Sequence, residues 1–180
     1  MEVSRWVSRF FRTGGEMRDI NPGTAAPAFS LKDLSGNEYS LAALLEKGPV
    51  VAAFFKISCP VCQFTFPFIE RLFKRYGGDG VTFLGISQDD AKATKKFASE
   101  YGVTFPMVLD DKDYSVSNAY GLTTVPTIFL IDTDGTVKVV CTGFEKKGLE
   151  DIAAFLAERQ KIGAAPLFRA DEKVPAHKPG

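Results

Sequence analysis

The longest unbroken apolar stretch is Val50-Val51-Ala52-Ala53-Phe54-Phe55, closed by Lys56 and bounded by Pro49 and Ser58. A continuous run of that length predicts a strand over Val50–Lys56 buried on both faces, as in a parallel sheet. Val81–Ser87 predicts a second such strand. Between and after them the period changes to that of helices. Pro60–Tyr76 predicts a helix with Pro67 inside it, where a kink is expected. Asp89–Tyr101 predicts an amphipathic helix behind an acidic start, and Lys147–Lys161 a final helix. Shorter signals fill the gaps: a strand at Ala28–Leu31, a turn at Ser35-Gly36-Asn37, and a helix at Ser40–Glu46 capped by Ser40. Phe105–Leu109 reads as extended, and Tyr114–Tyr120 as a helix ended by Gly121. Thr127–Asp132 and Val137–Thr142 read as strands joined by Thr133-Asp134-Gly135, a hairpin signal.

Strands alternating with helices argue an α/β domain, with a mixed central sheet flanked by helices. Its expected extent is 26–162. Ahead of it lies an arm and linker, 1–25. Val3, Trp6, Val7, Phe10 and Phe11 follow helical spacing over residues 2–12, with Arg5, Arg9 and Arg12 mostly opposite. That arm is read as packing on the body or on a neighbouring subunit, with contact to a membrane surface as the alternative. Residues 163–180 hold three prolines and no periodicity, and are expected to form an extended tail on the surface.

Composition narrows the function classes. Lys+Arg and Asp+Glu are 22 each, so the basic footprint of a nucleic-acid binder is missing. With 45% hydrophobic and 24% charged residues the chain is expected to fold. Phenylalanine supplies 16 residues, which implies a Phe-rich core. No apolar run approaches the ~18 residues of a membrane span. Arg5 and Arg9 interrupt any secretory leader, so the expected location is the cytoplasm, or the periplasm if a leader has been removed. The single histidine, His177, leaves little room for histidine catalysis, and no metal or bound cofactor is expected.

The chemistry is concentrated in Cys59-Pro60-Val61-Cys62. The pair stands where a buried strand meets a helix, and the unpaired N–H groups and dipole there favour a thiolate. Cys59, at the first turn and facing solvent, is expected to attack. Cys62, one turn further in, is expected to resolve the mixed disulfide. Pro60 suits the first helical position because its missing N–H has no helical partner. Half of a zinc site is the rival, but only Cys141 and His177 remain as Cys or His ligands, and a closed site needs four. A purely structural disulfide is disfavoured in a reducing compartment. Cys141 itself reads as a small buried hydrophobe in its strand.

The run Phe54–Cys62, with Pro67 five residues on, resembles the active-site strand and helix of the thioredoxin-like superfamily. Thr124-Val125-Pro126-Thr127 resembles that family's cis-proline loop. Ala26–Leu31 followed by Asp33–Gly36 resembles the opening of its AhpC/TSA–redoxin and TlpA/ResA-like branch. The resemblance spans about 26–160. It implies a thioredoxin-like fold, a thiol–disulfide oxidoreductase without a bound cofactor, and a cis Pro126 beside the cysteines. It further implies that Pro60, Val61, Val125 and Pro126 meet the substrate, with the Val125 backbone pairing to a substrate chain in β-fashion. The implied partners are a protein or small-molecule disulfide and a reductase or thioredoxin-type electron donor.

The sequence departs from the family at several points. The buried acid six residues before the first cysteine is replaced by Ala53. The Glu three residues after the second is replaced by Thr65, and the aromatic residue before the first by Ser58. Lys56 is a candidate to tune the cysteines electrostatically, and Phe64 to form an apolar rim around Cys59, with Phe66 and Phe68 in the core. A peroxiredoxin-like peroxidase is the first alternative. It is disfavoured because Lys56 and Ala52 stand where that mechanism requires Thr and Pro. A non-enzymatic binding module is the second.

Overall fold

A computed structural model describes residues 19–180. The arm expected over 2–12 lies outside the described residues. The chain is built around β3 (Val50–Phe55), whose six residues are all buried. Its alternating side chains serve two cores. Val51, Ala53 and Phe55 face one, while Val50, Ala52 and Phe54 face the other. That double burial is why the run is apolar throughout and does not alternate. Phe54 and Phe55 have no accessible surface, and each contributes about 2 kcal/mol of transfer free energy.

β4 (Thr82–Ser87) lies parallel to β3, and β6 (Thr127–Ile131) antiparallel on its other side. β5 (Met107–Leu109) extends the sheet beyond β4, and β7 (Val137–Thr142) pairs with β6 as the hairpin signal predicts. β1 (Ser30–Asp33) and β2 (Glu38–Ser40) form a hairpin at the far edge. Among the described residues the sheet order is β2-β1-β5-β4-β3-β6-β7. Helices α2 (Pro60–Tyr76), α3 (Ala91–Tyr101) and α5 (Lys146–Gln160) send their apolar residues into the core on one face. α1 (Leu41–Lys47) and α4 (Ser115–Ala119) cover the other. This is the mixed sheet flanked by helices that the sequence predicts. None of the described helices is long and apolar enough to cross a membrane.

Differences from the sequence reading have local causes. The first strand lies two residues later than expected, at Ser30–Asp33, because it pairs with β2 around the Asp33–Asn37 turn. The three-residue β2 is too short to show a period and is absent from the reading. The same holds for β8 (Phe144–Glu145) and β9 (His177–Lys178), which pair with each other. The tail is therefore more than an extended surface segment. Phe168 is buried between Phe68 and Phe144, and Glu172 forms a two-pronged ion pair with Arg71. The backbone of the tail then joins a small sheet of its own.

Candidate active site

Cys59 is the N-cap of α2, with extended dihedrals of φ −82° and ψ 114°. Its sulfur does the work of a capping oxygen: the Cys62 N–H donates to Cys59 Sγ at 3.3 Å. That N–H has no helical partner otherwise, so the helix end presents a donor to any negative charge on the sulfur. Pro60 follows at the first helical position. The Cys59 thiol in turn donates to the Val125 carbonyl oxygen at 3.3 Å. Val125 precedes Pro126 across a cis peptide bond. The attacking sulfur is thus held between the helix start and the loop that leads into β6.

The two cysteines differ in access. Cys59 is half-buried, whereas Cys62 is fully buried against the core of α2. Burial pushes the Cys62 thiol well above its ordinary value. A backbone hydrogen bond at Lys56 opposes this, while the hydrogen bond and charge of Cys59 and the charge of Asp89 add to it. Cys62 therefore stays protonated until something nearby removes its proton. Neither familiar acceptor is present. Ala53 is buried in β3, and the Thr65 hydroxyl donates to the Val61 carbonyl at 2.7 Å.

The turn that carries Cys59 is clamped at one residue, through both of its flanking peptide groups. Ile57 N–H donates to Asp89 Oδ2 at 2.8 Å, and Gln63 Nε2 donates to the Ile57 carbonyl at 2.9 Å. Asp89 is itself held by buried hydroxyls. Its N–H donates to Ser87 Oγ at 3.2 Å, and Thr94 Oγ1 donates to its carbonyl at 3.3 Å. Of the two consecutive acids at this helix start, Asp90 caps α3 and Asp89 turns back toward the cysteines.

The remaining expected site residues are placed as follows. Val61 and Val125 are half-buried and pack against the core beside Cys59, while Pro60 is exposed. Phe64 sits at the edge, half-buried against Phe68 and Phe144, with the Lys178 ammonium 4.4 Å from its ring centre. Phe66 and Phe68 are core residues as expected. The Lys56 side chain is exposed at the end of β3. Cys141 is fully buried in β7, and its thiol is pushed up to about 12 by burial, with Glu145 and Asp151 adding to the effect. Among the described residues, no group of three or more His, Cys, Asp or Glu side chains gathers to hold a metal ion.

The sequence profile of the AhpC/TSA family matches residues 22–140. The chain belongs to the AhpC/TSA family. Within it, the thiol-disulfide oxidoreductase ResA of Geobacillus thermodenitrificans strain NG80-2 is 40% identical over 142 residues, spanning 78% of this chain and 79% of that one. Among solved structures, the thioredoxin domain of a thiol-disulfide oxidoreductase from Bacteroides vulgatus superposes with a TM-score of 0.68 at 24% identity, covering 77% of this chain and 99% of that domain. Peroxidoxin BcpB from Mycobacterium tuberculosis superposes at 0.65 with 26% identity, covering 78% and 97%. This AhpC/TSA chain therefore shares its fold with proteins named as disulfide oxidoreductases and with one named as a peroxidoxin.

Three groups near the cysteines of this AhpC/TSA member are invisible to motif reading: Asp89, Gln63 and the tail residues Lys178–Gly180. The Asp89-Asp90 pair carried a faint signal, since one helix needs only one cap.

Proposed function

We propose that this AhpC/TSA protein is a thiol–disulfide oxidoreductase in which Cys59 attacks and Cys62 resolves. The observation that carries this reading is the pair of hydrogen bonds at Cys59 Sγ: a donor from the Cys62 N–H and an acceptor at the Val125 carbonyl. The N–H stays available as a donor to the sulfur throughout the exchange, while the hydrogen bond to the Val125 carbonyl is given up with the thiol proton. In the first step Cys59 Sγ bonds one substrate sulfur, the substrate S–S bond breaks, and the leaving sulfur takes up a proton. In the second, Cys62 gives up its proton and attacks Cys59 Sγ. The protein disulfide forms and the second substrate thiol leaves. Two electrons pass from the dithiol to the substrate, and the reverse order oxidises a dithiol substrate.

Protein or small disulfides and a thioredoxin-type donor or reductase are the matching partners. Val61 and Val125 supply the half-buried surface beside the sulfur, and Pro126 is buried next to Val125. The test is to equilibrate the reduced protein in graded thiol/disulfide buffers and count free thiols by alkylation and mass. A reversible Cys59–Cys62 disulfide with a potential in the range of about −270 to −120 mV supports the reading. Absence of that disulfide at every buffer ratio overturns it.

A further inference from the structure

The tail returns to the active site. Beyond Phe168 and the Arg71–Glu172 pair, the Ala176 carbonyl accepts a hydrogen bond from Lys146 N–H at 2.9 Å. β9 then pairs with β8 in the register Phe144 with Lys178 and Glu145 with His177. Lys178 places its ammonium over Phe64, one turn of α2 beyond Cys59, where the ring's negative face attracts it.

The last residues run backbone against backbone. Gly143 has φ +74°, and a side-chain carbon there would overlap the Lys178 carbonyl oxygen and approach Gly180 N to 2.9 Å. A side-chain carbon at Gly180 would overlap the Val125 carbonyl oxygen and come within 2.9 Å of its carbonyl carbon. That oxygen is the one to which the Cys59 thiol donates. Glycine at both positions lets the tail lie against the loop with no side chain between them. The surface to which a substrate strand would pair is therefore already lined by this chain's own backbone.

We propose that residues 177–180 form a wall of the substrate cleft that selects small-molecule disulfides over disulfides carried on a polypeptide paired to Val125. This rests on the oxidoreductase reading above. A β-paired polypeptide needs backbone contact at Val125, and Gly180 occupies that approach. A small disulfide needs only the Cys59 sulfur and its apolar surroundings, Val61 and Phe64. The exchange itself is unchanged: the substrate S–S bond breaks, Cys59 and Cys62 become a disulfide, and two substrate thiols leave.

The test compares the full chain with a variant lacking residues 177–180, using hydroxyethyl disulfide and insulin as oxidants of the reduced protein. The deletion leaves Phe168 and the Arg71–Glu172 pair in place, and an unchanged melting temperature checks the fold. Expected is a rise of about tenfold or more in the rate constant for insulin, about 1.4 kcal/mol at the barrier, with hydroxyethyl disulfide changed less than about twofold. Lys178→Glu, which sets a carboxylate against the Phe64 ring, moves the insulin rate the same way by a smaller factor. An equal change for both oxidants, or an insulin rate that stays the same or falls, overturns the wall while leaving the oxidoreductase reading intact. A full chain that neither oxidant converts to the Cys59–Cys62 disulfide overturns both.

Discussion

Cys141 offers a test in which packing and ionisation oppose each other. Its sulfur is fully buried and lies so close to Gly148 that a side-chain carbon at residue 148 would overlap it. Replacing Cys141 with Ala removes one buried heavy atom and leaves a small void, a cost of about 1 kcal/mol. The ionisation acts the other way. The folded protein holds this thiol at about 12, against an ordinary value of 9.0. A raised folded value means the native state retains a proton that the unfolded chain releases. The stabilisation is therefore complete below the ordinary value and is lost as pH rises through the window from 9 to 12. Each pH unit in that window removes about 1.4 kcal/mol, or about 4 kcal/mol in all. Cys141→Ala escapes this loss. Below pH ~8.5 the parent is expected to be more stable by about 1 kcal/mol. The two stability curves are expected to cross between about pH 9.5 and 10, with the variant more stable above. Urea unfolding of both proteins under reductant, at half-unit pH steps from 8 to 10.5 and constant ionic strength, measures the curves. Cys62 titrates in both proteins and cancels. Parallel curves without a crossing would refute the assignment of a buried, proton-retaining thiol to β7.

Other expectations follow from single contacts. Gly148→Ala alone is expected to destabilise by about 1–2 kcal/mol through the overlap with Cys141. In the Cys141→Ala background the same change should stabilise by up to about 1 kcal/mol from helix propensity, which a double-mutant cycle reads directly. Cys62→Ser should let Cys59 form a mixed disulfide that persists and is visible by intact mass, whereas Cys59→Ser should form none. Asp89→Ala leaves the Ile57 N–H without its acceptor and should cost about 1–2 kcal/mol in chemical denaturation, while Asp89→Asn, which keeps an acceptor oxygen, should cost less. The Glu172 carboxyl is held at about 2 by the hydrogen bond from Arg71, then by the Arg169 N–H. Because the folded value lies below the ordinary 4.5, the tail anchor is present above that pH and lost as pH falls from 4.5 toward 2. Hydrogen exchange in the tail should accelerate over that window in the parent, and Glu172→Gln should remove the pH dependence.

Elements with a period of their own, and chemistry with a spacing of its own, could be read from the chain before it was folded. β3 was legible because a six-residue apolar run, bounded by Pro49 and Ser58 and rich in Val and Phe, suits a doubly covered strand better than a helix. α2 was legible from Pro60 to Tyr76 because its start is marked by a first-position proline and its length gives the helical rhythm four turns in which to show. The Cys59–Cys62 pair followed from those two, since a strand running into a helix fixes where the sulfurs must lie. Most of what surrounds them comes from long-range packing. The anchor from Arg71 to Glu172 joins residues 101 apart and leaves no trace in local pattern. The Val125-Pro126 loop was legible beside the cysteines only through its resemblance to a cis-proline loop, and the bond from Cys59 to the Val125 carbonyl, across 66 residues, was not. Asp89 and its neighbour Asp90 are the same residue type, and only the closure of β3 against β4 decides that one caps a helix while the other grips the Ile57 peptide. The tail shows the same limit. Two-residue strands have no measurable period, so pairing of His177–Lys178 with Phe144–Glu145 is decided by where Phe168 is buried and where Gly143 leaves room for the backbone.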